Sequence, residues 1–197
     1  MAEWFDESYD VIIIGGGAVG SGIALDSALR GYKTLLVEKN DFASGTSSKS
    51  TKLIHGGVRY LEKAITQVDT SQYHLVKEAL EERSYFLNNV PHLSKPITLL
   101  TPIYKWFEIP YIYTGLYLYD FISGNKSIGE SSFVFKDKIL TSHPFVKHEE
   151  LCGGVQYYDG SFNDSRTVIA LLQTAQCLGS VVKNYHEVKS FIYDGNI

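Results

Sequence analysis

Six residues near the start of the chain, Gly15-Gly16-Gly17-Ala18-Val19-Gly20, have the types and spacing to hold a pyrophosphate. In a G-x-G-x-x-G turn, the first glycine permits a tight bend and the second lets backbone approach a phosphate. The third lets the following helix pack closely. The free N–H groups at that helix's start, with their partial positive charge, favour an anion. Glu38 lies 18 residues after Gly20. Its carboxylate suits the hydroxyls of an adenosine ribose and repels a 2′-phosphate, so an NADP-type ligand is disfavoured. The spacing does not separate NAD from FAD. Alone the motif is weak, because a glycine-rich turn in a purely structural unit has the same letters; a strand before it and a helix after it give it weight.

The flanking elements meet that condition. Tyr9–Ile14 is a β-branched run that reads as a buried parallel strand. Ala18–Arg30 reads as a helix stopped by Gly31, with Gly20, Ala24 and Ala28 forming a small-residue stripe for close packing on a sheet. Lys33–Glu38 reads as the second strand, completing a β-α-β unit of about 30 residues. Downstream, helical spacing predicts a helix over 72–88, with Leu75, Ala79, Leu80, Arg83, Phe86 and Leu87 in phase and Pro91 ending it. Residues 96–104 read as a strand, 109–122 and 167–178 as helices, and 180–185 and 188–193 as two short strands. The chain closes on Asp194-Gly195-Asn196-Ile197, a hairpin turn whose return strand is expected beyond it.

A second group of residues lies between these elements. Asp41–Thr51 is rich in Gly, Ser and Thr and reads as a loop. Thr46, Ser47 and Ser48 offer hydroxyls to a sugar chain or a pyrophosphate, or form an ordinary solvated loop. Lys52 can stabilise negative charge brought near it. Gly56 and Gly57 allow backbone to approach a flat ring without a Cβ clash. The planar fork of Arg59 matches a phosphate, and Tyr60 can hold a hydroxyl. On residue type alone Arg59 fits a surface ion pair better, and His55 fits a structural histidine. Asn163 or Asp164 is a suitable N-cap for the helix that follows.

Ser44-Gly-Thr-Ser-Ser48 and Ser50-Thr-Lys-Leu-Ile-His-Gly-Gly-Val-Arg-Tyr-Leu61, together with the glycine motif, resemble the FAD-dependent glycerol-3-phosphate dehydrogenases of the quinone-linked, mitochondrial type. The resemblance continues through 72–93, 99–120 and 157–166, and is stronger toward the eukaryotic branch. It implies an α/β chain with a Rossmann-like FAD-binding fold of the glutathione-reductase/amino-acid-oxidase type and part of a substrate domain. The boundaries expected are 1–90 for the FAD-binding segment, 91–160 for the substrate- or membrane-facing part, and 161–197 for a return to the FAD-binding domain, truncated at its end. It implies FAD contacts at Gly15, Gly17, Ala18, Val19, Gly20, Glu38 and Lys39. Further contacts are implied at Thr46, Ser47, Ser48, Lys52, Leu53, His55, Gly56 and Val188, with Arg59 and Tyr60 facing the substrate. The reaction implied is hydride transfer from C2 of sn-glycerol 3-phosphate to flavin N5, giving dihydroxyacetone phosphate, with electrons passed to ubiquinone. Further basic residues belong to later sequence, so the isolated fragment is expected to be inactive.

Composition limits the alternatives. A net charge of −4 with no basic block disfavours nucleic acid. Two isolated cysteines, Cys152 and Cys177, suggest neither a disulfide framework nor a cysteine-rich metal site, and no metal is expected. Met1–Asp10 reads as neither a signal peptide nor a presequence, and mitochondrial location of the parent protein follows from the resemblance alone. The aromatic stretch 104–122 is too short to span a bilayer. It fits a core helix of the substrate domain or a peripheral membrane contact. Oligomeric state is not legible. Two competing readings are an amino-acid-oxidase-like flavoenzyme with an amine substrate, and a noncatalytic nucleotide-binding module.

Overall fold

The computed structural model describes residues 7–57, 61 and 69–193. In chain order its elements are β1 (Val11–Ile14), α1 (Ala18–Leu29), β2 (Thr34–Val37), a 3-10 turn (Thr46–Ser48) and β3 (Leu53–Ile54). There follow α2 (Thr70–Asn89), β4 (Ser94–Ile103), α3 (Ile109–Ser123), β5 (Ser132–Phe135), α4 (Lys136–Ser142), β6 (Gly153–Phe162), α5 (Asp164–Cys177) and β7 (Val181–Lys183). They divide into two compact units, Met1–Lys52 with Asn163–Ile197, and Leu53–Phe162. The boundaries read from sequence were residues 90 and 160. The earlier division arises because Leu53 and Ile54 pair with Ser161 and Gly160 of β6.

The first unit is built on a parallel sheet of order β7-β2-β1. Ile12 lies opposite Leu35, and Leu36 opposite Val182. This is the 3-2-1 half of a doubly wound sheet. All four residues of β2 are buried, as a central strand requires. The small-residue stripe of α1 does the packing its spacing suggested, with one addition. Ala24 is fully buried against α5 as well as the sheet, in a core with Ile13, Leu36, Val168, Leu172, Ala175 and Val182. Gly31 ends the helix at φ +83°, its N–H donating to the Ala28 carbonyl.

The second unit is antiparallel. The ten-residue β6 pairs with β4 along its whole length, from Ser94 opposite Phe162 to Ile103 opposite Gly153. Its other edge is shared by β3 and by β5, the latter with Phe133 opposite Val155. The sequence reading missed this central strand because Gly153, Gly154, Asp159 and Gly160 are poor strand formers. Crowding accounts for two of those glycines: a Cβ at Gly153 would meet the Phe133 ring at 2.4 Å, and one at Gly154 the Thr101 carbonyl oxygen at 2.8 Å. Helix α2 forms where expected, but its buried stripe is Val76, Leu80 and Arg83, while Leu75 is exposed. Helix α3 begins with Pro110 in its first turn, where a missing N–H costs nothing.

The strand expected over 188–193 does not form. A strand needs a partner for its backbone groups, and none pairs with this segment among the described residues; Val188 lies exposed in irregular chain.

Candidate functional site

In the first unit the glycine turn joins β1 to α1 as the motif required. Gly15 has φ +115°, a conformation open to glycine and costly for other residues. A Cβ on Gly20 would lie 1.9 Å from the Gly15 carbonyl oxygen, so this glycine is what lets α1 start against the turn. Gly17 is the N-cap of α1. A Cβ there would meet nothing within 4 Å, and no side chain caps the helix. Ala18 and Val19 are exposed. Those observations fit the phosphate role: a helix start with free donors beside space that no side chain of the unit fills.

Glu38 has a local task as well. One carboxylate oxygen accepts the Gly16 N–H at 2.8 Å and the other accepts the Asn40 N–H at 2.8 Å. The acid at the end of β2 therefore ties down the glycine turn. Each oxygen keeps a lone pair for a ribose hydroxyl. Lys39 beside it is exposed.

Thr46–Ser48 forms a single 3-10 turn with Ser47 buried and Thr46 and Ser48 exposed. The Ser48 hydroxyl donates to the Gly45 carbonyl at 2.9 Å. Lys52 turns back on this loop. Its ammonium donates to the Ser47 carbonyl at 2.9 Å and lies 3.2 Å from the Asp164 carboxylate, which also accepts from the Ser50 hydroxyl. Lys52 holds φ +61°, a left-handed conformation that costs a non-glycine residue energy. Asn163 is the N-cap of α5, its side-chain oxygen accepting the Arg166 N–H at 3.1 Å. The capping role read from sequence thus falls to Asn163, and Asp164 becomes the anchor of the Ser50–Lys52 segment.

The second unit holds Leu53 in β3, then His55, Gly56 and Gly57. Behind them is a buried polar cluster. The Arg83 guanidinium, 1 % exposed, donates from Nη1 to Asp159 Oδ1 at 2.9 Å and to the Tyr119 hydroxyl at 3.0 Å. Asp159 is equally buried and also accepts the Gly160 N–H at 3.1 Å. Its other oxygen faces His55 Nδ1 at 3.7 Å, an attraction that acts when the imidazole is protonated. Burial pushes the Tyr119 phenol far above its ordinary range, with Asp159 adding to the rise and Arg83 opposing it. The phenol therefore stays neutral and its oxygen accepts the Gly56 N–H.

The described structure thus places Gly15, Gly17, Ala18, Val19, Gly20, Glu38 and Lys39 around one turn, and Thr46, Ser47, Ser48 and Lys52 in one loop of the same unit. It places Leu53, His55 and Gly56 in the other unit, and Val188 outside any strand. Arg59 and Tyr60 lie outside the described residues. The sequence reading missed Arg83 and Tyr119 as members of a polar cluster. The signal was present for Arg83, a charged residue in phase with the buried stripe of α2. Among the described residues no group of three His, Cys, Asp or Glu side chains is placed to hold a metal.

The chain spans about a quarter of the length of the curated relatives it matches. It is 50% identical over 184 residues to a mitochondrial glycerol-3-phosphate dehydrogenase of Rattus norvegicus, covering 93% of this chain and 25% of that protein. The crystal structure of a glycerol-3-phosphate dehydrogenase from Bacillus halodurans, complexed with FAD, superposes with TM-score 0.67 at 33% identity, over 96% of this chain and 29% of that one. A glycine oxidase from Bacillus cereus shares the fold, with TM-score 0.61 at 23% identity over 95% of this chain and 49% of that one. The family model described as FAD dependent oxidoreductase matches residues 10–197, and the chain belongs to that family.

Proposed function

We propose that this chain is the N-terminal, FAD-holding part of a dehydrogenase that oxidises sn-glycerol 3-phosphate to dihydroxyacetone phosphate and delivers the electrons to ubiquinone. The observation that carries the reading is the 50% identity to a glycerol-3-phosphate dehydrogenase over nearly the whole chain. Gly15, Gly17, Ala18, Val19 and Gly20 offer backbone donors to the pyrophosphate, and Glu38 and Lys39 take the adenosine end. Thr46, Ser47, Ser48, Lys52, Leu53, His55, Gly56 and Val188 are the remaining cofactor residues of this reading. When bound, FAD supplies the two-electron acceptor for the hydride leaving C2 of the substrate. Arg59 neutralises the substrate phosphate through a paired hydrogen bond, and Tyr60 holds a hydroxyl.

The reading predicts a yellow full-length protein whose flavin bleaches on anaerobic addition of glycerol 3-phosphate. It also predicts that residues 1–197 alone reduce no quinone analogue. Bleaching by glycine or another amine, but not by glycerol 3-phosphate, would favour the amino-acid-oxidase reading. A colourless full-length protein that rejects FAD would favour the noncatalytic module.

The same reading places the parent protein on the mitochondrial inner membrane as a peripheral enzyme. Trp106, Phe107, Tyr117 and Phe121 are exposed along and just before α3, while Leu116 and Tyr119 are buried. No helix of the described residues is long and apolar enough to cross a membrane. An aromatic surface of this kind suits the bilayer interface. Liposome flotation of the full-length protein with and without residues 106–122 tests it; equal binding removes the idea.

A further inference from the structure

We infer that Arg83, Asp159 and Tyr119 form a buried positioning clamp for the His55–Gly57 segment, which the proposed function assigns to the cofactor site. The inference rests on the glycerol 3-phosphate reading for what the segment serves, but the clamp itself is a matter of geometry within one unit.

Four parts of that unit meet at these three side chains. Arg83 comes from α2, Tyr119 from α3, Asp159 from β6, and the segment from the end of β3. The Tyr119 oxygen takes the Arg83 guanidinium on one side and the Gly56 N–H on the other. Asp159 takes Arg83 with one carboxylate oxygen and faces His55 with the other. Gly56 fits so closely that a Cβ would lie 2.0 Å from the Tyr119 oxygen and 2.4 Å from Leu80 Cδ2. The backbone here is therefore held by contact as well as by hydrogen bonding.

The far side of the segment is fixed to the same place. Leu61 donates its N–H to the Gly57 carbonyl at 3.1 Å, and its side chain is buried with Val76, Leu80 and Tyr119. Gly56 and Leu61, on either side of residues 57–60 in sequence, both pack against Leu80 and Tyr119 on the wall that carries the clamp. A segment that positions a cofactor needs such support, because a misplacement of about 1 Å can cost on the order of a hundredfold in rate.

Stability alone is a poor reason for this cluster. A buried ion pair loses hydration on both partners, and apolar residues of the same volume stabilise as well or better. Among the described residues the buried Arg83 Nε has no hydrogen-bond partner, a further cost. What an apolar replacement lacks is directionality: it cannot fix the Gly56 amide or face an imidazole.

The test uses the full-length holoenzyme and three variants. Tyr119→Phe removes one oxygen and leaves the ion pair intact, so it carries the test if Arg83→Lys or Asp159→Asn fails to fold. Hydrogen exchange of the 53–57 peptide is followed beside that of the β4 peptide, with kcat and KM for glycerol 3-phosphate and the visible flavin band. In Tyr119→Phe, amide exchange at 53–57 rises about tenfold while β4 is unchanged, and kcat/KM falls about five- to tenfold, the effect of one lost hydrogen bond. Asp159→Asn moves the flavin band as well as the rate. Unchanged exchange at 53–57 in Tyr119→Phe overturns the clamp, and so does faster exchange with kcat, KM and flavin spectrum all at wild-type values. A wild-type protein that carries no flavin, or is not reduced by glycerol 3-phosphate, defeats the functional reading instead, and the exchange measurement still decides whether the clamp holds the segment.

Discussion

Three alanine substitutions within six residues separate what the glycine turn does for folding from what it does for a dinucleotide. At Gly20 the added Cβ would sit 1.9 Å from the Gly15 carbonyl oxygen. A carbon–oxygen contact relaxes near about 3.3 Å, so the start of α1 and the turn must part by roughly 1.4 Å. Overpacking of that kind costs about 1–3 kcal/mol of stability. It also moves the N–H donors away from the phosphates; losing one charge-assisted hydrogen bond, about 1.5–3 kcal/mol, weakens FAD binding by about ten- to a hundredfold. At Gly17 the Cβ meets nothing within 4 Å and φ is −91°, so Gly17→Ala leaves the apoprotein within about 1 kcal/mol of wild type. Its methyl occupies the space proposed for the pyrophosphate, and FAD affinity falls by about tenfold or more. Gly22 lies in the middle of α1 with open space at its Cβ. Gly22→Ala raises stability by about 0.5–1 kcal/mol and leaves FAD affinity alone. Urea unfolding of the apoprotein gives the first quantity, and titration of FAD with protein, followed by flavin fluorescence, gives the second. If Gly17→Ala binds FAD as wild type does, the phosphate assignment is wrong. If Gly20→Ala and Gly22→Ala have equal stability, the close approach of α1 to the turn is wrong.

Three further outcomes follow from individual contacts. Glu38→Ala frees the Gly16 and Asn40 N–H groups and costs about 2 kcal/mol by urea unfolding, with weaker FAD binding beside it. Asn163→Ala removes the cap of α5 and costs about 1 kcal/mol, whereas Asn163→Asp keeps the acceptor and costs little; chemical denaturation of both variants checks this. Asp69 caps α2, and its hydrogen bonds, first that from the Ser71 hydroxyl and then that from the Ser71 N–H, hold its carboxyl below the ordinary range. A depressed carboxyl stabilises the fold above its unfolded value of about 3.9 and loses that contribution as the pH falls through the folded value. The stability gap between wild type and Asp69→Ala therefore narrows on acidification below that range; a gap that widens in acid reverses the sign argued here.

The local half of this protein was legible in its residues. A β-branched run, three glycines at fixed offsets and a small-residue stripe can form only a strand, a tight turn and a close-packed helix, because each step is a constraint on neighbours in sequence. Helices α2, α3 and α5 were legible for the same reason, as was the capping of α5. The polar run through Tyr60 carried the family resemblance by residue identity, not by any rule of spacing. What the tertiary structure decided involves partners far apart in the chain. The strand β6 was not legible because its glycines answer to Phe133 and Thr101, residues of other strands. Arg83 was in phase with the apolar face of its helix, but its partner Asp159 lies 76 residues later and came within hydrogen-bonding distance only in the folded chain. Lys52 is bound to Asp164 across more than a hundred residues of sequence, and Gly56 is a glycine because Tyr119 stands where its side chain would be. Short-range geometry is written in each residue's own conformational limits; burial and charge pairing exist only once the chain has closed on itself.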